Sequence, residues 1–425
     1  MNYNQHIDWL EPLEFASKIA QSYQDDWLFL YSGLAKNIEN SISYIALFAD
    51  KSQNYNSFAK IKQHITKSNH PLFGYISYEA ITNCTKNTNN QPSIITFPKM
   101  QFLSFFVIIK FIHQEKKIII HYQQEKHLNL IKNYLNNKKS LPSISLKTNS
   151  YNSNFSDYSY KKTINNIKSQ IANGDFYQVN LTRKFFGELE KTYQDQDIFS
   201  NFIKLCQISP ANYSSFIKID NKYILSSSPE LFLNIKNNLI KSKPIKGTIS
   251  RHKNQKQDDA NKKYLQNSPK ERAENLMIVD LVRNDLSQIC KAGSVKVDNL
   301  FNIDSYNMIH HMSSQISGII NDNNSIIDAI KATFPAGSMT GAPKIAAMQN
   351  IIDNEKINRG IYSGSIGFIS QNEVNLSVVI RTLIIKDNKY EFQVGGAITY
   401  DSDPRQELAE IYSKAQALKK LLHIC

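Results

Sequence analysis

Residues 268–285 carry the pattern that decides the fold, and they read Ser268-Pro-Lys-Glu-Arg-Ala-Glu-Asn-Leu-Met-Ile-Val-Asp-Leu-Val-Arg-Asn-Asp285. Ser268 is suited to cap a helix, and a proline is favoured at the first helical position that follows. Glu271 and Glu274 are three residues apart, so they share one face of the predicted helix. The spacing from Ser268 also predicts a capping box for Glu271, an alternative that leaves Glu274 unexplained.

The same pattern recurs near the C-terminus as Asp403-Pro-Arg-Gln-Glu-Leu-Ala-Glu-Ile-Tyr-Ser-Lys414. Asp403 caps the predicted helix, and Glu407 and Glu410 again share one face. Each pair alone is also typical of a solvated helix face. If the two pairs faced each other, only a cation could relieve the like charges, and an all-carboxylate set suits Mg²⁺ better than zinc.

Strand patterns surround these two helices along most of the chain. They are predicted over residues 27–31, 42–48, 102–112, 117–122, 177–183, 213–219, 231–235, 364–369, 376–385 and 390–394. Hairpin-like neighbours outnumber clear βαβ units, which predicts a mixed α/β chain of the α+β type with a largely antiparallel sheet.

A polar segment over residues 123–159 is the best candidate boundary between two regions. Residues 1–150 form a mainly β N-terminal region without recognisable chemistry, and residues 151–425 carry the candidate site. We expect the N-terminal region to belong to the same sandwich, although a separate domain is the alternative.

The amino-acid composition limits the classes of protein to which this chain can belong. The 425 residues include 41% hydrophobic residues, enough for a sizeable core, and only four cysteines, which argues against a disulfide framework or a zinc site. We find no leader or membrane-spanning pattern, and we expect a cytoplasmic protein. The net charge of +13 could attract nucleic acid, but only seven of the 50 basic residues are arginines, so compositional drift toward lysine explains it better.

Ten short blocks between residues 174 and 404 resemble the chorismate-utilising enzymes, in order and over roughly residues 155–420. This family includes component I of anthranilate synthase and of aminodeoxychorismate synthase, and the isochorismate and salicylate synthases. The blocks are Gly174–Arg183, Ser228–Glu230, Pro244–Thr248, Glu271–Asp285, His311 with Ser314 and Gly318, Phe334–Lys344, Arg359–Gly364, Ile380–Thr382, Gly395–Ile398 and Asp401–Pro404. The resemblance implies a large antiparallel-sheet sandwich flanked by helices, as in anthranilate synthase component I.

The resemblance also implies a ligand set. Glu274 and Glu410 would hold Mg²⁺, supported by Glu271 and Glu407, and the metal would grip the ring carboxylate of chorismate. The substrate-binding positions would be Gly247, Thr248, Ser338, Tyr362, Arg381, Gly395, Gly396, Ala397 and Lys414. Arg381 would receive the enolpyruvyl carboxylate, because a guanidinium can bind it with two hydrogen bonds.

Three catalytic positions follow from the same resemblance. Family members that make aminodeoxychorismate often read Pro-Ile-Lys-Gly-Thr, as this chain does at Lys246, whereas those that make anthranilate usually have alanine there. Lys246 would attack C2 of the ring, Glu230 would protonate the departing C4 hydroxyl, and His311 would position or polarise the ring. The alternative for Lys246 is an ordinary lysine in a local run with Lys241 and Lys243.

The expected reaction is therefore amination of chorismate at C4 to 4-amino-4-deoxychorismate, for p-aminobenzoate and folate synthesis. Isochorismate and salicylate synthases have a lysine base where this chain has Gln178, which argues against water as the nucleophile. The chain carries no resemblance to a glutaminase, so a separate glutamine amidotransferase subunit is the expected source of ammonia. Anthranilate synthase component I stays open as an alternative, as does a basic RNA-binding or scaffold protein with an inactive site.

Overall fold

A computed structural model describes residues 3–33, 41–52, 55–84, 93–137, 140–306 and 309–424. Its strands are β1 (Tyr3–Ile7), β2 (Trp27–Tyr31), β3 (Ile42–Ala49), β4 (Leu72–Ile76), β5 (Met100–Leu103), β6 (Phe105–Ile112), β7 (Lys117–Tyr122), β8 (Asn152–Ser153), β9 (Gln178–Glu188), β10 (Tyr213–Ile219), β11 (Lys222–Ser228), β12 (Leu231–Lys236), β13 (Leu239–Lys243), β14 (Ile245–Ser250), β15 (Lys296–Ser305), β16 (Ile309–Ile319), β17 (Gly341–Ala342), β18 (Ser365–Ile369), β19 (Glu373–Val378), β20 (Thr382–Lys386) and β21 (Lys389–Ile398).

The α-helices of the same residues are α1 (Pro12–Ala20), α2 (Phe58–Lys67), α3 (Glu125–Leu135), α4 (Asp157–Ala172), α5 (Asp195–Ile208), α6 (Gln255–Asn267), α7 (Pro269–Ser287), α8 (Ile326–Thr333), α9 (Lys344–Glu355) and α10 (Pro404–Leu421). Short 3-10 turns lie at Tyr78–Cys84 and Gly337–Met339. No helix among the described residues is both long enough and apolar enough to cross a membrane.

The described strands form two sheets in which every ladder is antiparallel. One sheet has twelve strands in the order β1-β7-β6-β3-β2-β10-β11-β20-β21-β9-β17, with β8 also on β9. The other has nine, in the order β14-β16-β13-β12-β19-β18-β4-β5, with β15 also on β16. Strands of the N-terminal region lie in both sheets, because β2 pairs with β10 and β4 pairs with β18.

Apolar side chains fill three layers around these sheets. Between the sheets lie residues such as Leu28, Phe105, Ile217 and Phe368. A second core joins the outer face of the twelve-stranded sheet to α1, α3, α4, α5, α9 and α10, and a third joins the nine-stranded sheet to α2, α7 and α8. Two packed sheets with helices on both outer faces confirm the predicted α+β sandwich.

Two predicted strands are each divided between the sheets. The run predicted over residues 102–112 is β5 in the nine-stranded sheet and then β6 in the twelve-stranded sheet. The run predicted over 376–385 is likewise β19 and then β20, and Arg381 at the crossing has a positive φ of 51°. Because both halves are apolar, hydrophobicity alone shows no break, and the prediction of one continuous strand was wrong in both places.

Candidate functional site

Both predicted helix starts are present and capped. The Ser268 hydroxyl accepts a hydrogen bond from the Glu271 amide at the start of α7, and the Asp403 carboxylate accepts from the amides of Arg405 and Gln406 at the start of α10. Pro269 and Pro404 occupy the first turns. The helix starts place carboxylates beside Gly247 of β14 and Gly396 of β21.

The Glu271 carboxylate lies against the backbone of Gly247 in β14. A Cβ at Gly247 would lie 2.8 Å from Oε2 of Glu271, and the residue has a φ of +85°, so both space and backbone geometry favour glycine. In β21, a Cβ at Gly396 would lie 3.2 Å from Oε2 of Glu407 and 3.9 Å from Oε1 of Glu410. The two glutamate pairs thus each border a glycine-containing strand.

The carboxylates of the two helices influence one another. Burial raises the pKa of Glu271, and the charges of Glu274 on its own helix and Glu410 on α10 raise it further. Burial and the charge of Glu410 also raise the pKa of Glu407, although Ser402 donates a 2.8 Å hydrogen bond to it. The charges of the two pairs therefore interact, which the sequence could not show, and we call the four carboxylates the acidic cluster.

Lysines partly neutralise this acidic cluster. Lys414 forms an ion pair with Glu410 and donates to the Gly395 carbonyl at 2.9 Å. Burial acts to raise the pKa of Glu410, but the Lys414 ammonium outweighs it and holds that pKa below its usual value. Lys270 lies 3.9 Å from Glu274.

The donor chemistry of the cluster fits Mg²⁺. Its carboxylate oxygens are hard ligands, and their mutual repulsion is what a bound cation relieves. Among the described residues, no three His, Cys, Asp or Glu side chains are gathered closely enough to enclose a metal ion. Mg²⁺ bound by these carboxylates would rely partly on water, because Mg²⁺ usually retains several waters in protein sites.

Lys246 lies on β14 between the acidic cluster and Glu230. The residue is half-buried. Loss of surrounding water lowers the pKa of its amine, and the ammonium of Lys414 lowers it too, while Glu274, Glu230 and Glu410 act in the opposite direction. The net shift is downward, which enlarges the neutral, nucleophilic fraction of the amine at neutral pH.

Glu230 is a buried carboxyl group directly after β11. It is 4% exposed, and Ser338 donates a 2.6 Å hydrogen bond to its Oε1. Burial raises the pKa of Glu230 to about 7, even though Ser338, Lys246 and Arg381 all favour the charged form. A carboxyl group that is half protonated near neutral pH can serve as a general acid.

His311 lies between Thr248 and Arg381. Nδ1 of His311 lies 2.7 Å from the Thr248 hydroxyl, and its Nε2 lies 3.5 Å from the Arg381 guanidinium. Burial and the Arg381 charge lower the pKa of His311 to about 3, so the ring is neutral at physiological pH. Because a guanidinium can only donate, Nε2 must accept and Nδ1 carries the proton. Burial raises the pKa of the Tyr362 phenol, which the charge of Glu230 also raises.

The predicted site residues are therefore brought close together, and we call the region that they border the cleft. Electrostatic contacts link Lys246 to Glu230 on one side and to both glutamate pairs on the other, and Arg381 links Glu230 to His311. Ala397 lies next to Gly396 on β21, opposite Asn180 of β9. The cleft thus combines a nucleophilic amine, a carboxylic acid, a guanidinium and an acidic cluster.

Gln178 and Arg359 were noted in the sequence, but their buried surroundings were not predicted. Gln178 is fully buried, and neither polar atom of its amide has a partner among the described residues. Arg359 is 1% exposed and forms a buried ion pair with Glu355 at 2.6 Å. One indication for Arg359 was present in the sequence. Because arginine is scarce in this lysine-rich chain, each arginine marks a position where the planar set of guanidinium donors is needed.

The chain belongs to the chorismate binding enzyme family, which it matches over residues 17–420. It is 39% identical over 270 residues to a probable chloroplastic aminodeoxychorismate synthase of Oryza sativa, covering 63% of this chain and 30% of the rice protein. It is 31% identical over 355 residues to anthranilate synthase component 1 of Saccharolobus solfataricus, covering 83% of this chain and 80% of the archaeal protein. The chain thus spans under a third of the rice relative's length.

A solved structure shares the fold. The crystal structure of anthranilate synthase component I from Streptococcus pneumoniae superimposes with a TM-score of 0.78 at 26% identity, covering 91% of this chain and 93% of that one. Relatives named for two different amination products therefore lie at comparable similarity, and overall similarity does not separate the two reactions.

Proposed function

We propose that this protein aminates chorismate at C4 to form 4-amino-4-deoxychorismate, using ammonia from a separate glutamine amidotransferase subunit. The observation that carries the proposal is the placement of Lys246. Its amine lies between a buried proton donor, Glu230, and the acidic cluster, in surroundings that lower its pKa. An anthranilate synthase needs no amine at this position, which is why Lys246 favours the C4 product.

The two carboxylates of chorismate would be bound by different sets of groups. Glu274 and Glu410, supported by Glu271 and Glu407, would hold Mg²⁺, which when bound would neutralise the ring carboxylate. Gly247 and Thr248 would approach the ring from β14, where a side chain at position 247 would collide with Glu271. The enolpyruvyl carboxylate would be bound by Arg381 and Tyr362, with the backbone of Gly395, Gly396 and Ala397 and the side chains of Ser338 and Lys414 completing the pocket.

The chemical steps balance with the residues present. The neutral amine of Lys246 attacks C2, the two conjugated ring double bonds shift, and the C4 hydroxyl leaves with the proton of Glu230 as water. Ammonia then attacks C4, both double bonds shift back, and the bond to Lys246 breaks, which returns the lysine as a neutral amine. The new ammonium returns one proton to the Glu230 carboxylate. Neutral His311 would hold the Arg381 side chain in position through their contact, without adding a charge beside the substrate ring.

The test supplies purified protein with chorismate, Mg²⁺ and ammonium, and separates the products by chromatography with mass detection. We expect 4-amino-4-deoxychorismate, which added lyase converts to p-aminobenzoate. Anthranilate as the sole product would instead establish the second candidate, anthranilate synthase component I, which the archaeal relative and the solved structure support.

Two lysine variants separate the nucleophile from a general effect of charge. Lys246→Ala should abolish amination at C4, because no covalent intermediate can form. Lys241→Ala removes another half-buried lysine a few residues away, on β13, and should retain wild-type turnover. Equal turnover by the two variants would refute the role of Lys246.

A further inference from the structure

Arg359 is a guanidinium buried directly behind the cleft. Its Nε and Nη2 donate to the Glu355 carboxylate at 2.9 and 2.6 Å. Its Nη1 donates to the Met339 carbonyl at 2.7 Å and the Ser363 hydroxyl at 3.3 Å, and Nη2 donates to the Asn180 carbonyl at 2.7 Å. A guanidinium offers five N–H groups, and these five contacts use all of them.

Each of the three contacts beyond Glu355 lies beside a cleft residue. Met339 follows Ser338, whose hydroxyl donates to Glu230. Ser363 follows Tyr362. Asn180 faces Ala397 across the β9–β21 ladder. One side chain therefore ties together three chain segments, two of which carry a site residue, while the third pairs with the strand that carries Ala397.

The surroundings of Arg359 indicate a fixed position. Glu355 also accepts a 2.9 Å hydrogen bond from the Thr182 amide, so the acid partner is itself held by β9. The guanidinium lies 4.7 Å from the ring of Tyr78, and the Arg359 amide donates to Glu79 at 2.7 Å. With its donors used and its charge paired, Arg359 has nothing left with which to bind a substrate.

We propose that Arg359 is a positioning residue, which holds Ser338 against Glu230 and Tyr362 against the substrate by clamping the segments that carry them. The proposal rests on the proposed function only in taking Glu230 and Tyr362 as groups that act on chorismate. Lysine could keep the charge opposite Glu355, but one ammonium cannot span all of these acceptors.

The first test compares Arg359→Lys with Arg183→Lys. Arg183 is a matched control, because it is also a buried arginine that pairs with an acid, Asp157, and none of its partners Ser153, Asp157 and Tyr412 is a predicted site residue. The assay follows the consumption of chorismate across pH. We expect Arg359→Lys to lower kcat/KM about 100-fold, the scale of a displacement near 1 Å, and Arg183→Lys to change it less than about threefold.

The shape of the pH profile distinguishes positioning from mere destabilisation. Glu230 faces Ser338, Lys246, Arg381 and Tyr362. When Ser338 is displaced, the Glu230 carboxylate loses a donor, so the alkaline limb of kcat/KM should move to higher pH in Arg359→Lys, as it should in Ser338→Ala. A folded Arg359→Lys protein with the wild-type limb and wild-type KM would overturn the proposal.

A gentler variant covers the case in which Arg359→Lys does not fold. Ser363→Ala removes a single contact on the Tyr362 side, and we expect KM for chorismate to rise about threefold to tenfold with kcat and the alkaline limb unchanged. An unchanged KM would count against the clamp.

Failure of the proposed C4 amination can be distinguished from failure of the proposed role of Arg359, because the assay measures chorismate consumption whichever product forms. Wild-type protein that makes anthranilate would refute the proposed function but leave the ratio between Arg359→Lys and wild type meaningful. If the wild type consumed no chorismate, calorimetric binding of chorismate to the same variants would replace KM, and equal affinities would overturn the clamp.

Discussion

Replacing Glu230 by glutamine tests the proton donor of the cleft. The change is close to isosteric, and the amide oxygen can still accept the hydrogen bond from Ser338. It removes only the ionisable proton. If Glu230 protonates the departing C4 hydroxyl, the Glu230→Gln enzyme should bind chorismate normally but lose most of its rate, about 100-fold to 10,000-fold for a general acid.

The pH dependence of kcat/KM is a more specific test of this role. With a pKa of about 7, Glu230 is about 90% protonated at pH 6 and about 10% protonated at pH 8. Wild-type kcat/KM for chorismate should therefore fall tenfold per pH unit above about 7, once the change in free ammonia is removed by supplying it at constant concentration. The glutamine variant has no such titrating group, so its kcat/KM should be lower at every pH and should show no fall above pH 7.

The assay is chorismate consumption by stopped-time chromatography from pH 5.5 to 9, with Mg²⁺ and free ammonia held constant. An acid limb is also expected, since Lys246 must be deprotonated and its lowered pKa places that limb below the range of an ordinary lysine. A wild-type alkaline limb that survives in Glu230→Gln would show that another group is the acid.

Three further predictions concern stability, metal binding and the backbone. Glu230→Gln should raise the free energy of unfolding relative to wild type above neutral pH. The pKa of Glu230 is about 7 in the folded protein and 4.5 in the unfolded chain, so the free energy of unfolding of the wild type should fall by about 3 kcal/mol relative to the variant as pH rises from below 4.5 to above 7, and urea unfolding at pH 5 and 8 would detect this fall. Glu274→Gln should raise the Mg²⁺ concentration needed for half-maximal activity at least tenfold, whereas Asp280→Asn, on the exposed side of α7, should not; equal Mg²⁺ titrations would contradict the ligand set. Gly247→Ala should abolish activity, while Gly293→Ala, which has a similar positive φ but open space around it, should cost only about 1 kcal/mol of stability and leave activity intact.

Local patterns predicted much of the fold correctly. The helix starts at Pro269 and Pro404 follow from capping residues and proline, whose effects act within one turn. The strand at Trp27–Tyr31 matches its apolar run. These features depend on neighbours in sequence, so single-chain reasoning can find them.

The passage of strands between the sheets could not be predicted in this way. At Arg381 the chain leaves one sheet for the other within an apolar run, and the break depends on a backbone conformation that hydrophobicity does not report. This crossing sets the position of the Arg381 guanidinium in the cleft. The same holds for Arg359, whose partners at Met339 and Asn180 are distant in sequence and meet only in the folded chain.

The candidate site was predicted as a set of positions, and the structure gathers them in one cleft. Their roles stay predictions. Spacing alone placed Glu271 and Glu274 on one face, but it could not show that Glu410 lies near enough to raise the pKa of Glu271. Likewise Lys246 is one lysine among 43 in the sequence, and only its surroundings distinguish it from the rest.

Mass spectrometry of the protein mixed with chorismate and Mg²⁺ in the absence of ammonia tests the central claim most directly. Without a nucleophile for C4, the covalent intermediate should accumulate. We expect a gain equal to the mass of chorismate less one water, located on the peptide that contains Lys246 and absent from Lys246→Ala. An unmodified Lys246 in an enzyme that aminates chorismate at full rate once ammonia is added, or an adduct on a different residue, would contradict it.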